Sequence, residues 1–245
     1  MVVIYQTRKG QVSSGEAIGI LLLDSAVPFI PGDVANATTY SFPVRFKKVE
    51  GFSVARAIAG DPSIYEELRE TAKELVQQGV RAVTGDCGFM ALHQQQLARE
   101  LDVPVFLSSL LQIPFILSVI GEGRKVGILT ADGNGLNDTI LKSVGTLESS
   151  RLVIEGLEKC PNFYSFAIAE SGFLDSGAVE TEVVSAGRHI AAENPDVAAL
   201  LLECSLLPPY AKALQEAVNI PVFDYITMIN FVFSAVVGKR YTGFV

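Results

Sequence analysis

The chain predicts an α/β fold of two similar lobes with parallel sheets and a cleft between them. Three observations carry this. Short β-branched or aliphatic runs alternate with amphipathic helical segments, the pattern of parallel strands buried on both faces. One run ends in Asp86-Cys87 and another in Glu203-Cys204, and the two cysteines stand 117 residues apart. Each is followed by a second run built around a proline, Val103-Pro104-Val105-Phe106 and Ile220-Pro221-Val222-Phe223, and these prolines are again 117 residues apart.

Taken in order, strands are expected over 17–24, 82–87, 103–107, 125–130, 151–157, 197–204 and 220–223. The opening strand of each half repeats: Ile18-Gly19-Ile20-Leu21 runs to the polar loop Asp24-Ser25, and Val126-Gly127-Ile128-Leu129 runs to Thr130-Ala131-Asp132. The stretch from Pro31-Gly32-Asp33 through Tyr40 to Phe46 reads as a long, loop-rich insertion after the first strand. Its Tyr40, Phe42 and Phe46 either line a pocket for a cationic head or pack in the core. A helix is expected over 62–78, with Asp61 as N-cap, Pro62 at the first position and Gly79 as stop; Ile64, Leu68, Ala72, Leu75 and Val76 form its buried stripe. A second helix is expected over 177–194, ahead of Pro195, and a last apolar one over 226–237. The simplest division puts a first lobe at 1–120, with 226–245 packing back on it, and a second lobe at 121–225, parting near Gly121-Glu122-Gly123.

Composition bounds the function. At 245 residues and 49% hydrophobic, the chain can bury a sizeable core. A net charge of −8 with no dominant basic patch argues against nucleic acid or an anionic membrane as partner. Three cysteines without framework spacing argue against a disulfide scaffold and fit a reducing cytoplasm. No secretory pattern opens the chain, and the strongest apolar run, 110–120, is too short to span a bilayer and carries Gln112 and Pro114. A soluble protein is expected, with a homodimer possible at this size.

Ligands in open α/β sheets sit beyond the carboxyl ends of the strands. Four such ends then converge on one cleft: Asp24-Ser25, Cys87, Thr130 and Cys204. Two thiols facing one site suit general acid–base chemistry at carbon, where a thiolate removes a proton alpha to a carboxylate. Gly88, Ser25, Thr130 and Ser205 are the candidate donors for the substrate's oxygens. Asp86 and Glu203 would raise the thiols unless strand alternation turns them to the opposite face. Tyr210 either reaches the cleft or packs. Cys160, without a counterpart in the other half, reads as structural, and His93, on an expected helix, as structural or on the surface. Asp132-Gly133-Asn134-Gly135 reads as a turn. His93 and His189 lack ligand spacing, and there is no Walker loop or GxGxxG, so neither metal nor cofactor is expected.

The two-cysteine pattern resembles the aspartate/glutamate racemase superfamily, which includes hydantoin racemases, maleate isomerases and arylmalonate decarboxylases. The resemblance covers nearly the whole chain. It implies two Rossmann-like lobes related by pseudo-twofold symmetry, no cofactor, Cys87 and Cys204 as the acid–base pair, and Asp24-Ser25 and Thr130 as carboxylate-binding loops. Glutamate racemases carry Asn-Thr after the first cysteine and Thr-His after the second, where this chain has Gly88-Phe89 and Ser205-Leu206. The words Gly85-Asp86-Cys87-Gly88-Phe89-Met90, Leu201-Leu202-Glu203-Cys204-Ser205-Leu206-Leu207-Pro208-Pro209-Tyr210 and Pro31-Gly32-Asp33 are similar to the Alma-type dimethylsulfoniopropionate lyases, which leave acrylate and dimethyl sulfide. The expectation is therefore a racemase or epimerase of amino-acid type. A lyase of that branch is the alternative, and a non-catalytic carboxylate-binding protein the third reading.

Overall fold

The computed structural model describes residues 4–7, 9–146 and 148–244; residues 1–3, 8, 147 and 245 lie outside it. In chain order the elements are β1 Ile18–Leu22, β2 Val44–Lys48, α1 Val54–Ile58, α2 Tyr65–Gln77, β3 Ala82–Gly85, α3 Gln94–Glu100, β4 Val105–Phe106, α4 Ile113–Val119, β5 Lys125–Thr130, α5 Asp138–Ser143, β6 Leu152–Gly156, α6 Pro161–Phe163, α7 Ser176–Glu193, β7 Val197–Leu202, α8 Ala211–Val218, β8 Val222–Phe223 and α9 Tyr225–Val236. They build two four-stranded parallel sheets, ordered β2-β1-β3-β4 and β6-β5-β7-β8. The strand order repeats, as the sequence repeat implied.

Strand alternation sorts the first sheet's faces. Ile18 and Ile20 turn to one side and pack with Tyr225, Met228 and Ile229 of α9. Gly19 turns to the other, where a Cβ would stand 3.1 Å from Leu75 Cδ1, so α2 lies tight against β1. In the second sheet, a Cβ on Gly127 would stand 2.6 Å from Leu200 and 2.7 Å from Ile190, so α7 approaches β5 equally closely. The helix after the fourth strand of each sheet crosses over: α4 contacts β5, and α9 contacts β3.

The helix expected at 62–78 begins as a 3-10 turn over Pro62–Ile64, because the Asp61 side chain accepts the Ser63 N–H and tightens the first turn before α2. Strands β4 and β8 are shorter than expected. Pro104 and Pro221 have no N–H to give, so they serve the ladder only through their carbonyls, which accept from Val83 and Leu200.

The reading of 31–46 as insertion needs correcting at its end. Val44–Lys48 is an edge strand parallel to β1, its apolar Val44 and Phe46 alternating with Arg45, Lys47 and Lys48. Tyr40, Phe42 and Phe46 pack against the α9 cluster, and Phe42 stacks on Phe233 with ring centroids 3.5 Å apart. Among the described residues no helix is long and apolar enough to cross a membrane.

Tyr225 ties α9 to the first sheet: its fully buried hydroxyl donates to the Leu107 carbonyl at 2.9 Å. Tyr225→Phe leaves that carbonyl unpaired and should cost on the order of 1–3 kcal/mol, read as a lower urea midpoint at unchanged m-value.

Candidate active site

The carboxyl ends of both sheets face one narrow cavity. Cys87, Cys204, Asp86, Glu203, Ser25, Gly88 and Ser205 all line it. The local backbone explains why. Asp86 donates its N–H to the Leu21 carbonyl at 3.0 Å, and its Oδ1 accepts the Leu23 N–H at 2.9 Å. Glu203 does the same in the second sheet: its N–H goes to the Leu129 carbonyl at 2.8 Å, and its Oε2 lies 3.4 Å from the Ala131 nitrogen. Each acid is thus clasped by the neighbouring strand, and the cysteine that follows is carried onto the cavity wall.

Cys87 is extended (φ −147°, ψ 127°) and caps the 3-10 turn Gly88–His93. The N–H groups of Phe89 and Met90 favour its thiolate, and that of Leu206 favours the thiolate of Cys204. Burial outweighs them. Desolvation, then the Glu203 and Asp86 carboxyls, push the Cys87 thiol well above its ordinary value; desolvation, then Glu203, Cys87 and Asp33, do the same to Cys204. The acids respond likewise: burial raises Asp86 to about 7 and Glu203 to about 7.

The two cysteine segments interlock. The Ser205 hydroxyl donates to the Asp86 carbonyl. Reciprocally, Gly88 leaves room for Glu203, since a Cβ there would stand 1.8 Å from Oε1 and 2.5 Å from Cδ. The Pro31-Gly32-Asp33 and Pro208-Pro209 words also meet: Gly32 has φ +100°, and a Cβ on it would stand 2.9 Å from the Pro209 Cα. Asp33 is buried, accepts the Ala35 N–H at 2.7 Å, and is raised to about 8 by desolvation.

Three expected site residues do not line the cavity. Asp24 turns outward, where its carboxylate meets Lys48 Nζ at 3.1 Å and the Gly51 N–H at 3.2 Å. Thr130 is fully buried behind Glu203 and donates to its Oε2 at 2.8 Å. Tyr210 is buried beside Ser176 in the second half. The sequence reading missed the apolar wall of Phe29, Ile58, Phe89 and Ile168. Phe89 stood inside the first cysteine word, which was the available signal. Ile168 comes from a π-helical turn, Tyr164–Ile168, that continues α6. Just past it, Glu170 at φ +49° accepts the Ala26 N–H at 2.9 Å, joining the loop beside Ser25 to the second half. Among the described residues, no lysine, arginine or histidine lines the cavity, and no group of three or more His, Cys, Asp or Glu is placed to hold a metal ion.

No family model matches the chain. Similar sequences are dimethylsulfoniopropionate lyases. One from Durusdinium sp. clade D is 29% identical over 88% of this chain and 73% of its own length. Dimethylsulfoniopropionate lyase 7 of Emiliania huxleyi is 33% identical over 87% of this chain and 65% of its own length, and lyase 5 of the same alga is 32% identical over 89% and 45%. The chain therefore spans less than two thirds of several of these relatives. By structure, an aspartate racemase from Picrophilus torridus matches with a TM-score of 0.57 at 16% identity, covering 93% of this chain and 96% of the racemase. An unliganded arylmalonate decarboxylase matches at 0.54 and 16% identity over 92% and 94%. A glutamate racemase from Bacillus anthracis matches at 0.54 and 15% identity over 90% and 82%.

Two outcomes follow from this geometry. Gly88→Ala should destabilise the protein by about 1–3 kcal/mol through overpacking. Adding Glu203→Gly should return most of that loss, a coupling of roughly 1 kcal/mol or more in a double-mutant cycle read by urea unfolding. The second outcome concerns pH. Asp33, Asp86 and Glu203 keep protons when folded that the unfolded chain releases near pH 4, so their contribution is full below that pH and is lost as pH rises through 7 to 8. Buried His93, lowered by desolvation, works in the opposite sense but is one group against three. The urea midpoint should therefore fall between pH 5 and 8, and Asp33→Asn should flatten the slope.

Proposed function

We propose, for a chain that has the fold of the aspartate/glutamate racemase superfamily in a branch similar to the dimethylsulfoniopropionate lyases, an enzyme that removes a proton alpha to a carboxylate without a cofactor and expels a sulfide from the beta carbon. One observation carries the choice of elimination over amino-acid racemisation. The cavity offers thiols, carboxyls and apolar side chains and no cationic group among its described lining residues, so a second carboxylate of an aspartate or glutamate would have no partner. A monocarboxylate whose other end is a weakly hydrated onium group suits the Phe29 and Phe89 wall and the neighbouring Asp86.

The balance of the step is simple. One cysteine sulfur takes the alpha proton, the C–H pair becomes the carbon–carbon double bond, and the C–S pair leaves on sulfur, giving an acrylate and a neutral sulfide. At rest both thiols are held protonated by burial and by neighbouring carboxyls. An incoming sulfonium favours the thiolate, so one thiol releases its proton to solvent as the substrate binds, and the thiolate so formed takes the alpha proton and ends as a thiol. Ser25 and the backbone N–H groups behind the cysteines are the donors for the carboxylate.

A racemase is the second reading, favoured by the duplication itself, because two thiols on matched strand ends are what proton exchange at both faces of one carbon requires. Proton NMR with dimethylsulfoniopropionate, both enantiomers of aspartate and glutamate, and a 5-substituted hydantoin in D2O separates the two. Acrylate and dimethyl sulfide are expected, with Cys87→Ser and Cys204→Ser each lowering turnover by about 100-fold or more. Loss of an alpha proton with the carbon skeleton intact would establish exchange and overturn the elimination.

A further inference from the structure

Glu203 is only 1% exposed, and its two oxygens are treated differently. Oε2 receives the Thr130 hydroxyl at 2.8 Å and faces the Ala131 N–H at 3.4 Å. Oε1 has no hydrogen-bond partner among the described residues. Glu203 lines the cavity, and its Oε1 sits against Gly88, where a side chain of any other residue would collide with it. A buried carboxyl oxygen left unpartnered costs free energy comparable to a lost hydrogen bond unless something supplies the missing half. An ionised carboxylate would need a cation, and no lining residue brings one.

The asymmetry also fixes where a proton sits. The Ala131 N–H can only donate, and it is aimed at Oε2; a proton on the carboxyl therefore belongs on Oε1. From this geometry we infer that Glu203 is a substrate-binding residue, its Oε1–H a neutral hydrogen-bond donor to a carboxylate oxygen of the ligand. The inference rests on the reading above that the ligand carries a carboxylate. It gives Gly88 and Thr130 their purpose: one clears the space for Oε1, and the other holds Oε2. A neutral donor in an apolar site can serve a carboxylate as well as a charged one without requiring a buried cation.

The groups facing Glu203 are Cys204 on its own strand end, Cys87 from the first half, Asp132 from the loop behind it and Tyr225 from α9, while Asp86 acts on Cys87 and Asp33 of the 31–33 turn acts on Cys204. All are neutral or negative, so none favours ionisation of Glu203, and Asp86 at about 7 and Asp33 at about 8 titrate in the same range. The test is therefore a binding titration, separate from turnover. Propionate is titrated into the wild type, Glu203→Gln, Glu203→Ala and Asp86→Asn at pH 6 and pH 8, with tetramethylammonium as the cationic control. With Glu203 near 7, wild-type propionate affinity should fall about tenfold between the two pH values. Glu203→Gln keeps an N–H donor that does not titrate, so it should bind propionate at both pH values within about threefold of the wild type at pH 6. Glu203→Ala should bind weakly at both, and Asp86→Asn should keep the tenfold fall. The inference is overturned if propionate does not bind, if Glu203→Gln retains the full fall, if Asp86→Asn abolishes it, or if tetramethylammonium alone binds and gains affinity with pH in a Glu203-dependent way. Absence of acrylate from dimethylsulfoniopropionate would sink the proposed reaction and leave the propionate result standing.

Discussion

The site depends on an acid clasped at a strand end. In each sheet the central strand hands an N–H to its parallel neighbour through the acid's backbone, and takes one back through the acid's side chain: Asp86 against Leu21 and Leu23, Glu203 against Leu129 and the Ala131 loop. Parallel strands finish at the same edge, so two sheets with the same strand order bring two such clasps to one cavity. A strand released from its ladder would be free to turn away. The clasp holds the chain extended for one more residue, and that residue is the cysteine. The backbone of the turn then supplies the N–H groups that contact the sulfur.

Burial sets the charge state of everything that follows. The acids and thiols lose more from desolvation than they gain from the few N–H donors around them, and each raises the others. The resting site thereby carries less negative charge than its composition suggests. A cavity walled by Phe29, Ile58, Phe89 and Ile168 tolerates that state and would not tolerate four negative charges. Reactivity in such a site must come with the ligand. The group that enters has to lower the cost of a thiolate, and fixed side chains here do the reverse.

The cysteines and their lobes were legible because two signals coincided: strand-like runs that ended on a thiol, and a constant spacing that no single run could show. The helix at Tyr65–Gln77 was legible from Asp61, Pro62 and Gly79, local chemistry that needs no tertiary partner. The edge strand Val44–Lys48 was not, since its basic residues and half-buried face resemble a loop until β1 is there to pair with. That omission explains the misplacement of Asp24. Seen without β2, Asp24 belongs to a loop over the cavity; with β2 in place, Lys48 stands on the outer edge and draws the carboxylate away. Phe29 and Ile168 were invisible for another reason: an apolar residue on a loop, or on a single π-helical turn, carries no periodicity to say which way it turns.

A repeated scaffold need not give a repeated wall. The residue after each cysteine reaches the acid before the other, but the two contacts differ in kind. Ser205 bonds the backbone of Asp86, whereas Gly88 withdraws to admit the side chain of Glu203. One extra methylene in Glu203 accounts for the difference. Asp86 meets the Leu23 N–H with Oδ1, while Glu203 satisfies Oε2 in its own half, with Thr130 added, and still extends Oε1 to the first half. The cavity thus has one end where a carboxyl oxygen stands ready to donate and another where it does not. Elimination makes use of such a bias, because a carboxylate fixed at one end directs the leaving group toward the other, and a site with unlike ends can hold a substrate with unlike ends in one orientation.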